Sequence, residues 1–209
     1  MLSIQLFKKN KALIDASLNH PFVQGIASGE LQREKFVRFM SQDAFYLTGY
    51  ARAFAAGLAK SLSTDCIYLF KELLDSCIEE LKLHKSYSEK WGFSLEVEPG
   101  EAVIAYTDFL IRAAFLDDSG HILAATAPCF VLYGYIGNEL AKVLNPESPY
   151  REWVETYSSP EAAAAVQEIE FGLNQYCVVD ERAGEYYRRA LELEYRFFDE
   201  AYRFEGEQI

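Results

Sequence analysis

Three residues in this chain could do chemistry from inside an apolar structure: Asp43, Glu194 and Cys129. Asp43 falls between Met40 and Leu47, where helical spacing calls for an apolar side chain, and Tyr46 shares its face. Glu194 interrupts the stripe of Ala190 and Phe197 in the same way. Taking a carboxylate out of water is costly unless it is paired or hydrogen-bonded. Two of them on separate helices, each among aromatic residues, therefore point to a polar pocket in an apolar bundle. For each, a structural ion pair or a side chain turned to water is the competing reading. In a pocket, a carboxyl group with a pKa tuned by burial would serve as a general acid or base. Cys129 differs from Cys66, Cys77 and Cys177 in having Pro128 before it and Tyr133 one turn beyond. The proline removes a helical N–H and predicts a kink. A thiolate there would be a nucleophile, but only with a partner from another helix; otherwise Cys129 is a small buried hydrophobe.

Metal and nucleotide chemistry find little support. Glu80 and His84 stand four residues apart, whereas carboxylate-bridged di-metal bundles repeat Glu-x-x-His on two helices. The other histidines, His20 and His121, are isolated. His84 reads as a core or supporting hydrogen-bonding residue. There is no phosphate-binding glycine loop, dinucleotide fingerprint or HExxH motif. Neither a metal nor a cofactor is expected.

The elements that must position these residues are helices. Apolar stripes run through Phe36, Met40, Leu47, Tyr50 and Phe54; through Leu74, Cys77, Leu81, His84 and Trp91; and through Val103, Tyr106, Leu110 and Ala113. Further stripes hold Ile122, Ala125, Cys129, Ile136, Leu140 and Val143; Val166, Ile169, Leu173 and Tyr176; and Tyr187, Ala190, Phe197, Ala201 and Phe204. Ser28-Gly29, Pro99-Gly100, Asp117 to Gly120, Asn145-Pro146 and Pro149 separate them, and Ser159-Pro160 reads as an N-cap followed by proline at the first helical position. No segment alternates like a strand. The chain is predicted to be all-α, a single domain over 1–209 with six or seven longer helices.

Composition narrows the partners. The 209 residues carry a formal charge of −12, so no global field draws nucleic acid. Half the residues are hydrophobic, which excludes a disordered acidic tail. Residues 119–138 carry no Asp, Glu, Lys or Arg and could span a membrane by length, but Pro128, His121 and the lack of a similar segment favour a buried core helix. The first residues read as an amphipathic helix rather than a signal peptide. The four cysteines are far apart and form no CxxC pair, so free thiols in the cytoplasm are expected.

Several motifs together resemble the TenA family, thiaminase II. They are His20 to Ile26, Gln42-Asp43 with Tyr46, Tyr50-Ala51-Arg52, Tyr106-Thr107, Pro128-Cys129 with Leu132-Tyr133 and Ile136-Gly137, Trp153, Thr156-Tyr157, and Glu194 to Phe198 with Ala201-Tyr202. The resemblance runs the length of the chain, in the family's order. It implies a haem-oxygenase-like multihelical bundle without haem. It also implies hydrolysis of 4-amino-5-aminomethyl-2-methylpyrimidine to the hydroxymethyl compound and ammonia, with thiamin as another substrate, in a cytoplasmic homotetramer. By position it makes Cys129 the nucleophile and Glu194 the acid/base, with Asp43, Tyr46, Tyr106, Tyr133, Tyr157 and Phe197 around the pyrimidine, and His20 in support. One departure stands out: Tyr135 occupies a position where the family often has Glu. A non-catalytic pyrimidine-binding protein and a metal- or oxygen-dependent oxidase on the same scaffold are the alternatives.

Overall fold

The computed structural model describes residues 1–205 and, among them, ten helices and no strand. They are α1 (Leu2–Lys9), α2 (Lys11–Leu18), α3 (Pro21–Ser28), α4 (Arg33–Lys60), α5 (Thr64–Trp91), α6 (Glu101–Leu116), α7 (Ser119–Ala141), α8 (Arg151–Tyr157), α9 (Pro160–Tyr176) and α10 (Glu181–Arg203). Six of these are the long helices expected from the stripes. The other four have seven or eight residues, about two turns, too short for a stripe to repeat.

Local chemistry sets the helix ends. Ser63, Asp118, Ser159 and Asp180 each accept a backbone N–H of the first turn of α5, α7, α9 and α10. Pro160 follows Ser159 at the first helical position, and Gly29 and Gly92 end α3 and α5 with positive φ, where a side chain would be strained. Val143 was expected on the α7 stripe; the helix stops at Ala141 and Val143 lies in the following turn, two-thirds exposed.

The charge-poor helix α7 is the axis of the bundle. It packs against α4, α6, α8, α9 and α10, while α4 also packs on α5 and α6. α7 is long and apolar enough to cross a membrane, but most of it is covered by these neighbours. Pro128 lies within it, and the Tyr50 hydroxyl of α4 donates to the Thr126 carbonyl nearby. Small residues permit the closest approaches. A side chain at Gly137 of α7 would stand 2.5 Å from the backbone of Tyr157, so glycine is what lets α8 lie on α7 at that point. Gly57 of α4 likewise receives the ring of Phe70 from α5. The core these contacts close is rich in aromatic residues: Phe22, Phe36, Phe39, Phe54, Phe70 and Phe198 are all essentially without exposure.

Candidate active site

Both carboxylates that break the stripes are interior, Asp43 6% and Glu194 1% exposed. Their surroundings differ. Asp43 of α4 is paired with His84 of α5, whose Nε2 donates to Oδ2 at 2.7 Å. The His84 Nδ1 donates to the Glu80 carbonyl, 2.8 Å away, one turn back in the same helix. Because that carbonyl can only accept, Nδ1 carries a proton, and Nε2 faces a carboxylate. Burial works against a charge on the ring, yet the Asp43 hydrogen bond and the charges of Asp43 and Glu80 outweigh it and hold the His84 pKa at about 9. His84 is thus an imidazolium at neutral pH. It does the supporting work foreseen for it, and Asp43 has the ion pair that was its competing reading.

Glu194 of α10 has no cation. The Tyr106 hydroxyl of α6 donates to its Oε1 at 2.8 Å. Burial pushes its pKa up to about 8; the Tyr106 hydrogen bond opposes the rise, and Cys129 and Tyr133 also approach the carboxylate and favour its charge. Burial, then the charges of Glu194 and Glu80, hold the Cys129 thiol well above the ordinary thiol range. At rest the pair is a carboxylic acid beside a thiol. The Tyr46 hydroxyl lies beside that thiol and favours its charged form, but it is buried without a hydrogen bond of ordinary geometry to any described group. Leaving a buried hydroxyl unpaired costs about 1–3 kcal/mol, and the Tyr87 hydroxyl and Trp153 Nε1 are in the same state.

A third carboxylate joins the site, and the sequence reading passed over it. Glu80 accepts the Tyr157 hydroxyl on Oε1 at 2.7 Å. Burial first, then the charge of Asp43, raise its pKa, against the pull of His84 and Tyr157. Its spacing to His84 was the available signal, but that spacing was weighed only for metal binding. Glu80, Cys129 and Tyr157 are half-buried and keep some accessible surface. Two open depressions of the outer surface, about 450 and 720 Å³, are lined by other residues.

Aromatic rings cluster around these groups. Tyr46 packs on Tyr106 at 4.7 Å and on Tyr50 at 5.1 Å, and Phe197 stands 6.4 Å from Tyr46. Tyr133 meets Tyr157 at 4.9 Å, and Trp153 closes on Tyr157 at 4.7 Å. Burial keeps the hydroxyls of Tyr46, Tyr106, Tyr133 and Tyr157 neutral. Six helices, α4, α5, α6, α7, α8 and α10, thus bring Asp43, Tyr46, Glu80, Tyr106, Cys129, Tyr133, Tyr157, Glu194 and Phe197 to one place. His20 is elsewhere: it caps α3 and packs on Tyr195, Phe198 and Tyr202. Tyr135 faces the other way, toward α1 and α2, against Phe7 and beneath the Lys11 ammonium. All four cysteines are free thiols. Among the described residues, no group of three His, Cys, Asp or Glu side chains is arranged to hold a metal ion.

The raised pKa values of Glu194 and His84 make a prediction about stability. In the unfolded chain these groups titrate near 4.5 and 6.5. Their contribution to stability is full below those values. It is lost progressively as pH rises, through about 8 for Glu194 and about 9 for His84. The melting temperature is expected to fall by roughly 5–10 °C between about pH 6 and about pH 9.5. Glu194→Gln should flatten the lower part of that slope, as read by circular dichroism. A melting temperature that climbs over this range, or an unchanged slope in the variant, would show that these groups do not titrate as the site requires.

Comparison with known proteins agrees with the geometry. The profile of the TENA/THI-4/PQQC family matches residues 7–204. A protein of Halalkalibacterium halodurans named aminopyrimidine aminohydrolase is 36% identical over 163 residues, covering 75% of this chain and 73% of its own. The structure of a TenA homologue from Pyrococcus furiosus superposes with a TM-score of 0.90 at 26% identity, covering 97% of this chain and 100% of that one. A domain of unknown function from Shewanella denitrificans, described as having a heme oxygenase-like fold, superposes at 0.75 with 17% identity over 96% of this chain and 91% of its own, which speaks for the fold alone. On the match to nearly the whole sequence, and with an all-α bundle of the haem-oxygenase-like kind, this chain belongs to the TENA/THI-4/PQQC family.

Proposed function

We propose that this chain is a thiamin-salvage aminopyrimidine aminohydrolase. In this reading it converts 4-amino-5-aminomethyl-2-methylpyrimidine and water to the 5-hydroxymethyl compound and ammonia by covalent catalysis at Cys129. The observation that carries the proposal is the convergence, among clustered aromatic rings, of a thiol, a carboxyl group with a pKa of about 8 and a second carboxylate fixed by an imidazolium. The name of the Halalkalibacterium halodurans relative supports the substrate class.

Each group has a task that its environment suits. Direct displacement of an amine from the exocyclic methylene is difficult at neutral pH. Adding a sulfur nucleophile to the ring makes electrons available to expel it. Glu194 takes the thiol proton and hands it to a ring nitrogen as sulfur bonds to the adjacent ring carbon, so the thiol's S and H add across one double bond. The Tyr46 hydroxyl, unpartnered at rest, is placed to donate to sulfur as its charge develops. Asp43 accepts the 4-amino group, and the aromatic walls stack on the flat ring and hold water away until the leaving group departs. Water then bonds to the methylene carbon and gives up a proton, which replaces the one that left with ammonia; the C–S bond breaks, and the ring-nitrogen proton returns through Glu194 to the thiol. Thiamin, whose thiazolium leaves from the same methylene, is a candidate second substrate. The cytoplasm and a homotetrameric assembly belong to the same reading.

Incubation with the aminomethylpyrimidine is expected to release ammonia and the hydroxymethyl product in equal amounts, as followed by coupled assay and chromatography. The resting thiol, held well above neutrality, is the one observation favouring a binding protein without turnover. Calorimetric binding unaccompanied by product would select that second reading.

A further inference from the structure

Three carboxyl groups, Asp43, Glu80 and Glu194, share this interior, and among the described residues no lysine or arginine is ion-paired with any of them; the one cationic partner is His84. Asp43 is matched by His84. Glu194 can be neutral through its own proton. Glu80 has neither an ion pair nor a full set of hydrogen bonds: Oε1 takes the Tyr157 hydroxyl, and Oε2 accepts no hydrogen bond from any described residue. That oxygen keeps accessible surface and is free to accept from a ligand.

The roles already given leave one part of the substrate without a partner. Glu194 and Cys129 are assigned the ring nitrogen and the carbon beside it, and Asp43 the 4-amino group. The exocyclic amine, the basic group of the ligand, is left for the remaining acid, Glu80, whose partner Tyr157 packs on Tyr133 at 4.9 Å.

Resting on the reading above, we propose that Glu80, held by Tyr157, is the subsite for the protonated exocyclic amine and makes the chain select cationic 5-aminomethyl pyrimidines over neutral analogues. The idle oxygen accepts a hydrogen bond from the ammonium and supplies its countercharge. Holding the amine protonated also serves the bond cleavage. When the C–N bond breaks, its electron pair leaves with nitrogen as neutral ammonia. The positive charge passes to the amidine of the sulfur adduct, whose amino edge faces Asp43. No further proton donor is needed at that step.

The test is calorimetric binding in the Cys129→Ser background, where turnover is suppressed, using the aminomethylpyrimidine and its neutral hydroxymethyl counterpart. Glu80→Gln keeps the shape and an oxygen for Tyr157 but removes the charge. It is expected to raise the Kd of the aminomethyl compound about tenfold or more, while that of the hydroxymethyl compound changes less than about threefold. Tyr157→Phe, which frees Glu80 from its tether, should weaken the same ligand selectively and to a smaller degree, and it serves as the second variant should Glu80→Gln not fold. Equal weakening of both ligands, or of neither, overturns the subsite while leaving the hydrolase reading standing. Failure of the unaltered protein to bind either pyrimidine overturns both.

Discussion

Cys129→Ser is expected to lower kcat for ammonia release by roughly 10³-fold or more, with KM and helicity nearly unchanged. Serine is nearly isosteric, so the aromatic walls, Asp43 and Glu194 stay where they are and the ring still binds. What is lost is the acidity and polarisability of sulfur. Glu194, with a pKa of about 8, can take a proton from a thiol raised by burial. It cannot take one from an alcohol, whose pKa lies far higher. Turnover at the wild-type rate in this variant, or in Cys129→Ala, would remove Cys129 from the chemistry and move the reaction to direct attack by water. Cys66, Cys77 and Cys177 give the control: each is buried, and Cys77, its thiol pushed to about 12 by burial and then by the charges of Glu80 and Asp43, donates to the Leu47 carbonyl.

The second large effect concerns Glu194 and its sign with pH. Near neutrality the resting pair holds two protons, one on the thiol and one on the carboxyl. Addition uses only one, and it needs a carboxylate free to receive the thiol proton. The log of kcat/KM is therefore expected to rise with pH through about 8 as Glu194 loses its proton, and not to fall there. Glu194→Gln can neither receive nor deliver it, so activity should drop by about 10²–10⁴-fold and the limb near pH 8 should vanish. The two readouts together matter, since a merely structural role would lower activity without removing the limb. A profile that declines through that region, or a limb retained in the variant, would assign the proton transfer to another group. Measuring Asp43→Asn alongside separates the roles, because loss of the acceptor for the 4-amino group should appear mainly in KM.

The fold was largely legible because helix burial is periodic. The stripe residues Phe36, Met40, Leu47, Tyr50 and Phe54 are all buried, as are Val103, Tyr106, Leu110 and Ala113. The same periodicity exposed Asp43 and Glu194, since a polar residue in an apolar stripe is visible without any partner. It could not expose Glu80. That residue lies on a long amphipathic helix beside Glu79 and Lys82, where a further acid carries no signal. Only the meeting with Tyr157, 77 residues away, distinguishes it. Tyr135 is the converse case. Two residues from Tyr133 in sequence, it is turned about 200° around α7, so adjacency in a motif became opposition in space. The structure sets it against Lys11 and Phe7, away from Cys129 and Glu194, and the departure from the family pattern does not touch the proposed pocket.

Which elements form, which faces they bury, and the presence of two acids and a distinctive thiol on those faces can all be read along the chain. These follow from forces acting within a few turns of one helix: backbone hydrogen bonds, caps, and the removal of an apolar stripe from water. The tertiary structure alone decided which side chains share a space. The Asp43 and His84 pair spans 41 residues, and the Tyr106 and Glu194 contact spans 88. Such meetings depend on how α5 packs on α4 and how α10 packs on α6. The charges that set the state of the site, a cationic His84, a Glu194 protonated near neutrality and a Glu80 raised by burial and by Asp43, arise from desolvation and from neighbours on other helices. A linear reading has no access to either.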